Sequence, residues 1–197
     1  MKKLEILLHD IGAVKFGDFT LKSGMKSPVY LDLRLLASHP DVLRAAAHEI
    51  ALLLKSIEFD VIAAVPYAAI PIGTAVSLET GKPLVYSRKE PKDYGTRKAV
   101  EGDFRAGQTA VLLDDLVTTA KSKFEAVTPL KAAGLQVRDV VVLIDREQGG
   151  GDELAKAGLR LHAVLSLSGM LSTLREDGRI TAAQEKTVLE FIRVNRA

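Results

Sequence analysis

The chain has 197 residues, of which 47% are hydrophobic and 26% charged, and its formal net charge is +2. This length and composition are typical of one globular domain, so we predict a single domain over residues 1–197. The small net charge argues against nucleic-acid binding as the main function, and the absence of cysteine excludes disulfides, cysteine-ligated zinc and thiolate catalysis.

Apolar segments of strand and helix character alternate along the chain. The N-terminus does not resemble a secretory signal, because Glu5, His9 and Asp10 interrupt its apolar residues. Strands are predicted over residues 61–65, 84–86, 109–113, 137–144 and 159–165, which are β-branched or continuously apolar. Helices are predicted over residues 41–54 and 124–133, and from a capping box of Thr181 and Gln184 to about residue 194.

The most apolar stretch, residues 61–78, predicts a strand, a turn and a helix, because Pro66, Pro71 and Gly73 interrupt it. We therefore predict no membrane span, and with no signal peptide we expect a cytoplasmic protein. The alternation of strands and helices predicts an α/β fold with a parallel sheet and right-handed crossovers. Ligands of such sheets bind beyond the carboxyl ends of the strands, so the residues that follow each strand are the candidates for a functional site.

Paired acids follow the strand that is predicted to end at Leu113. Asp114 and Asp115 come first, and a hydroxyl-rich segment, residues 118–122, leads into the next helix. Hydroxyls and free N–H groups at a helix N-terminus bind a phosphate dianion, whereas paired acids repel phosphate and accept hydrogen bonds from sugar hydroxyls. Such acids also favour positive charge that develops on a ribose ring. The segment therefore predicts a phosphorylated-ribose site; the alternative is an ordinary helix cap beside two surface acids.

A basic segment, residues 88–98, follows another strand and is rich in lysine and arginine. Pro91 and Gly95 oppose a regular helix here. A basic, flexible loop beside a phosphate site predicts a lid that excludes water and neutralises a diphosphate leaving group. Taken alone, the segment also fits a solvated charged loop.

Two further cations occupy positions of interest. Arg146 follows the strand 137–144 by two residues, and a guanidinium pairs with a carboxylate through two parallel hydrogen bonds. Arg146 therefore suits a ligand that carries a carboxylate, although an Asp145–Arg146 surface pair is an equally good interpretation of the dipeptide alone. Lys22 precedes a Ser-Gly turn signal, and by itself it fits a surface residue.

Together these motifs resemble the orotate phosphoribosyltransferases, a family of type I phosphoribosyltransferases. The residues within the motifs most resemble those in the transferase half of uridine monophosphate synthases. The resemblance covers residues 4–174 and depends on the acidic turn, the Lys22 segment, Arg-Lys-x-x-Lys at 88–92 and Asp-Arg-Glu-Gln-Gly-Gly at 145–150. It implies a central, mainly parallel sheet flanked by helices, with a small N-terminal hood and a flexible catalytic loop. It also implies transfer of the 5-phosphoribosyl group from phosphoribosyl diphosphate to orotate, which yields orotidine 5′-monophosphate and pyrophosphate.

The resemblance also implies roles for individual residues. Lys92, Asp114 and Asp115 are the expected catalytic residues, the two acids by holding the ribose 2′- and 3′-hydroxyls. The expected phosphoribosyl-diphosphate contacts are Tyr67, Ala68, Arg88, Lys89, Lys92, Tyr94, Asp114, Asp115, Leu116, Val117, Thr118, Thr119, Ala120, Lys121 and Ser122. The expected orotate contacts are Lys22, Tyr30, Leu31, Thr118 and Arg146.

By the same resemblance, Mg²⁺ is required but is held mainly by substrate oxygens near Asp114 or Asp115, without dedicated protein ligands. A homodimer is implied, in which loop 88–102 acts in the neighbouring subunit's site. Neither nucleic acid nor a membrane is an expected partner. Because the chain is too short to include a fused decarboxylase, we expect it to act alone.

Several positions depart from the family pattern. Ala120 stands where glycine is usual, so a positive φ there would strain the backbone, and Lys121 stands where a small residue is common. Tyr94 replaces a histidine of many bacterial members, and Ala68 replaces a lysine of many of them. A purine phosphoribosyltransferase remains an alternative that would not need Lys22 or Arg146 to contact a carboxylate. A phosphoribosyl-diphosphate-sensing regulator is the other alternative, although no helix-turn-helix or strongly basic face is apparent.

Overall fold

The structure is a computed structural model that describes residues 2–20, 24–88 and 99–196. Helix α1 (Leu4–Asp10) comes first, followed by the antiparallel pair β1 (Val14–Thr20) and β2 (Lys26–Leu31). A 3-10 helix, Leu33–Ser38, leads into α2 (Pro40–Leu54). The elements that follow are β3 (Val61–Ala64), α3 (Ala69–Thr80), β4 (Leu84–Ser87), β5 (Val100–Glu101), β6 (Thr109–Val117), α4 (Lys121–Ala132), β7 (Gln136–Asp145), α5 (Gly150–Lys156), β8 (Arg160–Ser166), α6 (Leu167–Glu176) and α7 (Ala182–Val194).

The central sheet has six strands in the order β5-β4-β3-β6-β7-β8. Its neighbouring strands run parallel, except that β5 pairs antiparallel with β4 at one edge. The predicted α/β architecture with a parallel sheet is therefore confirmed. Strands β1 and β2 form a separate two-stranded sheet, where the small N-terminal hood was expected.

Helices cover both faces of the central sheet, and this explains its continuously apolar strands. Side chains alternate along β3: Ile62 joins a core with α1, α2, α3, α6 and α7, whereas Val61 and Ala63 join a second core with α4 and α5. All four residues of β3 are buried. The sheet is thus a rigid middle layer whose strand ends hold the loops in place.

Two predicted boundaries around the acidic turn were wrong. Strand β6 continues to Val117 instead of ending at Leu113, so the paired acids lie within it. The reason is its partner: β7 is long, and the pairing extends through Asp114↔Val142 to Val117↔Asp145. Helix α4 begins at Lys121, three residues earlier than predicted.

Other local predictions were confirmed. Helix α2 spans the expected residues with Pro40 in its first turn. The Thr181 side chain accepts a hydrogen bond from the Gln184 N–H at 3.2 Å and completes the predicted capping box of α7. Within residues 2–20, 24–88 and 99–196, no helix has the length and apolar character that a bilayer crossing requires.

Candidate active site

Four loops meet at one edge of the central sheet. Strands β4, β3, β6 and β7 are consecutive neighbours in the sheet and run parallel, so their carboxyl ends share that edge. The segments that follow them are residues 88–99, 65–68, 118–120 and 146–149. The structure therefore brings together Arg88 at the root of the basic loop, the acid pair and Arg146, which lie far apart in the sequence. Lys22, Lys89, Lys92 and Tyr94 lie outside the described residues.

Asp114 is buried and paired with a buried lysine. Its carboxylate lies 2.8 Å from Nζ of Lys123, which is in the first turn of α4. The same Nζ also donates to the carbonyl oxygen of Leu116. Lys123 thus holds Asp114 in one orientation and balances its charge. Sequence reasoning missed Lys123, because a lysine at the start of a helix normally indicates an exposed face.

Asp115 has a carboxyl group whose protonation changes near neutral pH. Burial, and then the nearby charge of Asp114, raise the pKa of Asp115 to about 7. The Asp115 N–H donates to Oδ1 of Asp114 at 2.9 Å, and Oδ1 of Asp115 accepts from the Leu116 N–H at 2.8 Å. The two acids therefore differ: Asp114 is held by a lysine, whereas Asp115 has oxygen capacity left for a ligand.

The segment after β6 has the shape of a helix entrance. Ala120 has φ −81° and ψ −6°, so the strain expected if alanine replaced a left-handed glycine does not arise. Its carbonyl oxygen accepts from the N–H groups of Lys123 and Phe124. Its own N–H donates to Oε2 of Glu153 at 2.7 Å. Ala120 is buried, whereas Lys121 at the start of α4 is exposed.

Arg146 is buried, and most of its guanidinium lacks a hydrogen-bond partner among the described residues. It is 7% exposed, and its Nε and Nη2 atoms have no hydrogen-bond partner among the residues described. The expected alternative of an Asp145–Arg146 surface pair was therefore wrong. Burial lowers the pKa of Arg146 below its ordinary value. A buried guanidinium of this kind calls for an anionic ligand, because burying an unpaired charge is costly.

Glu147 anchors the turn that carries Arg146. It has a positive φ of 60°, which is uncommon for a residue other than glycine. Its carboxylate accepts from the Ser168 N–H at 2.7 Å and from the Ser168 hydroxyl at 2.9 Å. Asp145 accepts from the Glu147 N–H at 2.8 Å. The start of α6 therefore fixes this turn, and no local pattern in the sequence signals that connection.

The hood supplies the other described candidates for orotate contact. Tyr30 and Leu31 end β2, outside the central sheet. The Tyr30 hydroxyl accepts from Nη2 of Arg34 at 3.2 Å, and its ring centroid lies 5.5 Å from that of Phe19. These contacts restrict Tyr30 to one side of the hairpin.

The loops after β3 and β4 contain the remaining candidates. Tyr67 is 65% exposed, and the peptide bond between Pro66 and Tyr67 is cis. Ala68 directly precedes α3. The Arg88 guanidinium lies 3.2 Å from the Glu101 carboxylate, and the Arg88 N–H donates to the carbonyl oxygen of Ala99 at 2.9 Å. The two ends of the basic loop are therefore tied together at its base.

Comparisons with known proteins agree with this arrangement. Residues 34–160 match the family model described as a phosphoribosyl transferase domain. This match and the order of the loops define the class as a type I phosphoribosyltransferase, with the expected mainly parallel sheet between helices.

The relatives specify the class further. The chain is 38% identical to the orotate phosphoribosyltransferase of Methanosarcina mazei, over 86% of this chain and 91% of that protein. It is 42% identical to the uridine 5′-monophosphate synthase of Bos taurus, over 95% of this chain but only 40% of the bovine protein. The crystal structure of orotate phosphoribosyltransferase from Aeropyrum pernix superposes with a TM-score of 0.78 at 32% identity, over 91% of this chain and all of that chain. The chain belongs to the orotate phosphoribosyltransferase family.

Proposed function

We propose that this protein transfers the 5-phosphoribosyl group of phosphoribosyl diphosphate to N1 of orotate, in pyrimidine biosynthesis. The observation that carries the proposal is the meeting of an acid pair and an unpartnered, buried arginine at one sheet edge. Strands β6 and β7 pair up to Val117↔Asp145, and the Arg146 N–H donates to the carbonyl oxygen of Val117 at 3.0 Å. The acids proposed for a ribose thus lie in β6, and the guanidinium proposed for a carboxylate directly follows the neighbouring strand β7. A purine base has no carboxylate, so the unpartnered Arg146 favours orotate.

The roles of the residues follow from the chemistry of the reaction. The bond between ribose C1 and diphosphate breaks, positive charge develops on the ribose ring, and N1 of orotate forms the new bond as its proton is released. Asp114 and Asp115 accept hydrogen bonds from the 2′- and 3′-hydroxyls and favour that positive charge. The loop 118–122 at the start of α4 binds the 5′-phosphate through N–H groups and hydroxyls. The proposed orotate contacts are Lys22, Tyr30, Leu31, Thr118 and Arg146.

The leaving diphosphate is the proposed ligand of the loops after β3 and β4. Arg88, Lys89 and Lys92 supply positive charge, Lys92 acts as the catalytic lysine, and Tyr94 assists closure. Tyr67 and Ala68 contribute from the loop after β3. The ion pair of Arg88 with Glu101 supports this arrangement, because it keeps a cation at the root of the basic loop.

The acid pair fits a magnesium ion that the substrate brings. Mg²⁺ commonly binds one or two carboxylates together with substrate phosphates and waters. Among the residues that the structure describes, no group of three or more His, Cys, Asp or Glu side chains lies close enough to hold a metal. Asp115, with free oxygen capacity, is the carboxylate that would approach the ion. When bound, Mg²⁺ neutralises charge on the diphosphate.

The proposed assembly is a homodimer in which loop 88–102 acts in the neighbouring subunit's site. Helix α3 supports it, since Leu78 is 83% exposed on a helix that also buries Ile72 and Val76. The other exposed residues of α3 are polar, so Leu78 is the apolar side chain that an interface on this helix would cover. Leu78 is in the last turn of α3, so this interface would lie about 15 Å along the helix from the loop after β3. A single domain, acting in the cytoplasm without nucleic acid or a membrane, completes the proposal.

A spectrophotometric assay tests the function. The fall in orotate absorbance is followed with phosphoribosyl diphosphate and Mg²⁺, each component being omitted in turn, and adenine and hypoxanthine are offered as competing acceptors. We expect a signal that needs all three components and is lost in the variant carrying Asp114→Asn and Asp115→Asn. Turnover of a purine base but not of orotate would overturn the proposal in favour of a purine enzyme.

A further inference from the structure

A carboxylate from α5 is bonded to the loop that we propose for the 5′-phosphate. Oε2 of Glu153 accepts a hydrogen bond from the Ala120 N–H at 2.7 Å. Ala120 is 0% exposed and directly precedes α4, whereas Glu153 is half-buried in the first turn of α5. This contact therefore joins the entrance of one helix to the entrance of another.

Two further hydrogen bonds attach the same loop to the segment after β7. The Gly150 N–H donates to the carbonyl oxygen of Thr118 at 3.1 Å, and the Arg146 N–H donates to that of Val117 at 3.0 Å. A Cβ atom on Gly150 would lie only 2.6 Å from Cγ2 of Val117 and 3.0 Å from the Thr118 oxygen. Only glycine permits this close approach. Val117, Thr118 and Ala120 are thus all held by one neighbouring segment.

The Glu153 contact is unexpected on electrostatic grounds. A carboxylate beside a phosphate-binding loop repels the phosphate, so any favourable effect of Glu153 has to arise from the hydrogen bond that it accepts. The Ala120 N–H, once bonded to Glu153, is not available to a phosphate. Ala120 therefore contributes to the shape of the loop, and the next N–H groups, at the start of α4, face the ligand.

We propose that Glu153 is a positioning residue for the phosphoribosyl donor. Its carboxylate fixes the Ala120 N–H and keeps the loop 118–122 in the conformation that receives the 5′-phosphate. The inference rests on the proposed phosphate-binding role of that loop. It explains why an acid is tolerated near a phosphate: the ordering of the loop before binding outweighs the repulsion.

The expected effect is confined to the donor substrate. Glu153→Ala removes the acceptor, and we expect the KM for phosphoribosyl diphosphate to rise roughly 5- to 50-fold, as for loss of one charge-assisted hydrogen bond. The values of kcat and of the KM for orotate should stay within about twofold, because the loop holds the end of the ribose remote from C1. The inhibition constant of ribose 5-phosphate, which shares only the phosphate end, should rise in parallel.

Three companion variants make the test specific. Glu153→Gln keeps an acceptor oxygen and should restore the wild-type KM, whereas Asp152→Ala removes a neighbouring acid that pairs with Arg196 at 3.5 Å and should change nothing. Ser122→Ala weakens the loop itself and should raise the same KM. Thermal unfolding of every variant reports its folding.

The outcomes are distinguishable. Equal effects of Glu153→Ala and Glu153→Gln would show that charge matters and not the hydrogen bond, and would overturn the inference. The inference would also be overturned if Glu153→Ala raised the KM for orotate as much as the KM for phosphoribosyl diphosphate. It would likewise be overturned if Ser122→Ala raised the KM for phosphoribosyl diphosphate and Glu153→Ala did not. A further outcome separates the inference from the proposed function. If orotate is still turned over but neither Ser122→Ala nor Glu153→Ala changes the KM for phosphoribosyl diphosphate, the loop does not bind the 5′-phosphate. The inference then fails, and the proposed enzyme function stands.

Discussion

Arg146 combines burial with an unsatisfied charge, and this combination makes it the most informative single residue of the site. Its Nε and Nη2 atoms have no partner within the described part of the chain. The free chain therefore bears a desolvation cost that a bound carboxylate would offset through two parallel hydrogen bonds. This physical argument selects orotate, which carries a carboxylate, over an uncharged base.

We expect Arg146→Gln to raise the KM for orotate roughly 10- to 100-fold, because a charge-assisted hydrogen bond contributes about 1.5–3 kcal/mol. The melting temperature should stay equal or rise, since the variant no longer buries an unpaired charge. Steady-state kinetics and thermal unfolding measure the two effects. Arg138→Gln, at an exposed position of the same strand, is the matched control. An unchanged KM for orotate in Arg146→Gln would exclude the contact.

The protonation of Asp115 makes the stability of the protein depend on pH. Its pKa rises from 3.8 to about 7 on folding, mainly because the group is buried and secondly because Asp114 is close. Between those two values the folded chain keeps a proton that the unfolded chain releases. The stability contribution of this group is therefore highest below pH 4 and decreases as the pH rises towards 7.

An Asp115→Asn variant cannot lose this proton. We expect its free energy of unfolding, relative to that of the wild type, to increase by about 4 kcal/mol between pH 4 and pH 8. Urea unfolding at intervals of one pH unit measures the difference. A difference that is constant across this range would mean that Asp115 ionises normally in the folded protein.

At the scale of elements, β6 and β7 determine the site. The predicted end of β6 at Leu113 followed the loss of apolar character, yet the ladder with β7 continues through the acids. Residues within a paired strand are held more rigidly than residues in a turn, which suits the ribose contacts that we propose for the two acids. The same two strands make Val117 and Arg146 neighbours.

At the N-terminal ends of β7 and β8, remote from the candidate site, a buried aspartate binds two more exposed side chains. Asp139, which is buried, lies 2.7 Å from Nη2 of Arg160 and 2.8 Å from Nε2 of His162. Burial alone would raise the pKa of Asp139, but the hydrogen bonds from Arg160 and His162 outweigh it and hold that pKa below its ordinary value. A carboxyl group with a lowered pKa stabilises the fold at neutral pH, and this stabilisation is lost as the pH falls through the folded-state pKa.

Asp139→Asn should therefore destabilise the protein at pH 7 by about 1–3 kcal/mol, through loss of charge-assisted hydrogen bonds between two strands. The difference from the wild type should shrink as the pH falls below about 4, where the aspartate of the unfolded chain also becomes protonated. Denaturant unfolding at pH 7 and pH 3 checks this dependence. Orotate turnover should persist, since Asp139 is at the sheet edge remote from the site; a variant that is stable but inactive would contradict this view.

At the scale of the whole molecule, we propose that two copies of the chain complete each site. Exposed Leu78, in the last turn of α3, marks the surface that we propose for the interface. If loop 88–102 serves the neighbouring subunit, the acids and Lys92 of one active site come from different chains.

Mixing two inactive variants tests this arrangement. Lys92→Ala lacks the lysine, and the double variant Asp114→Asn with Asp115→Asn lacks the acids. If the loop acts across the interface, mixed dimers contain one complete site, and statistical exchange of subunits should recover about 25% of wild-type activity. If the loop acts within its own chain, every site in a mixed dimer lacks one component and no activity returns. Each variant incubated alone is the control.

Much of this molecule could be predicted from local patterns. Continuous apolar segments indicate strands of a sheet that is covered on both faces, and Thr181 with Gln184 indicates the start of a helix. Both signals arise within a few residues, so they can be recognised without the tertiary structure. Arg146 could be singled out because functional groups of parallel sheets follow strand ends, and the acid pair because two carboxylates end an apolar run. The end of β6 could not be predicted, since pairing with β7 decides it.

The sequence by itself determined the class of fold and the family, because residue type and spacing are sufficient for those, and it predicts the chemistry of the ribose and carboxylate contacts. Only the tertiary structure decided which side chains support them. Lys123 turns back onto Asp114, Glu147 reaches Ser168, and Glu153 bonds the Ala120 N–H. Each contact depends on how a crossover packs against the sheet, and packing between distant segments leaves no periodic trace in the chain.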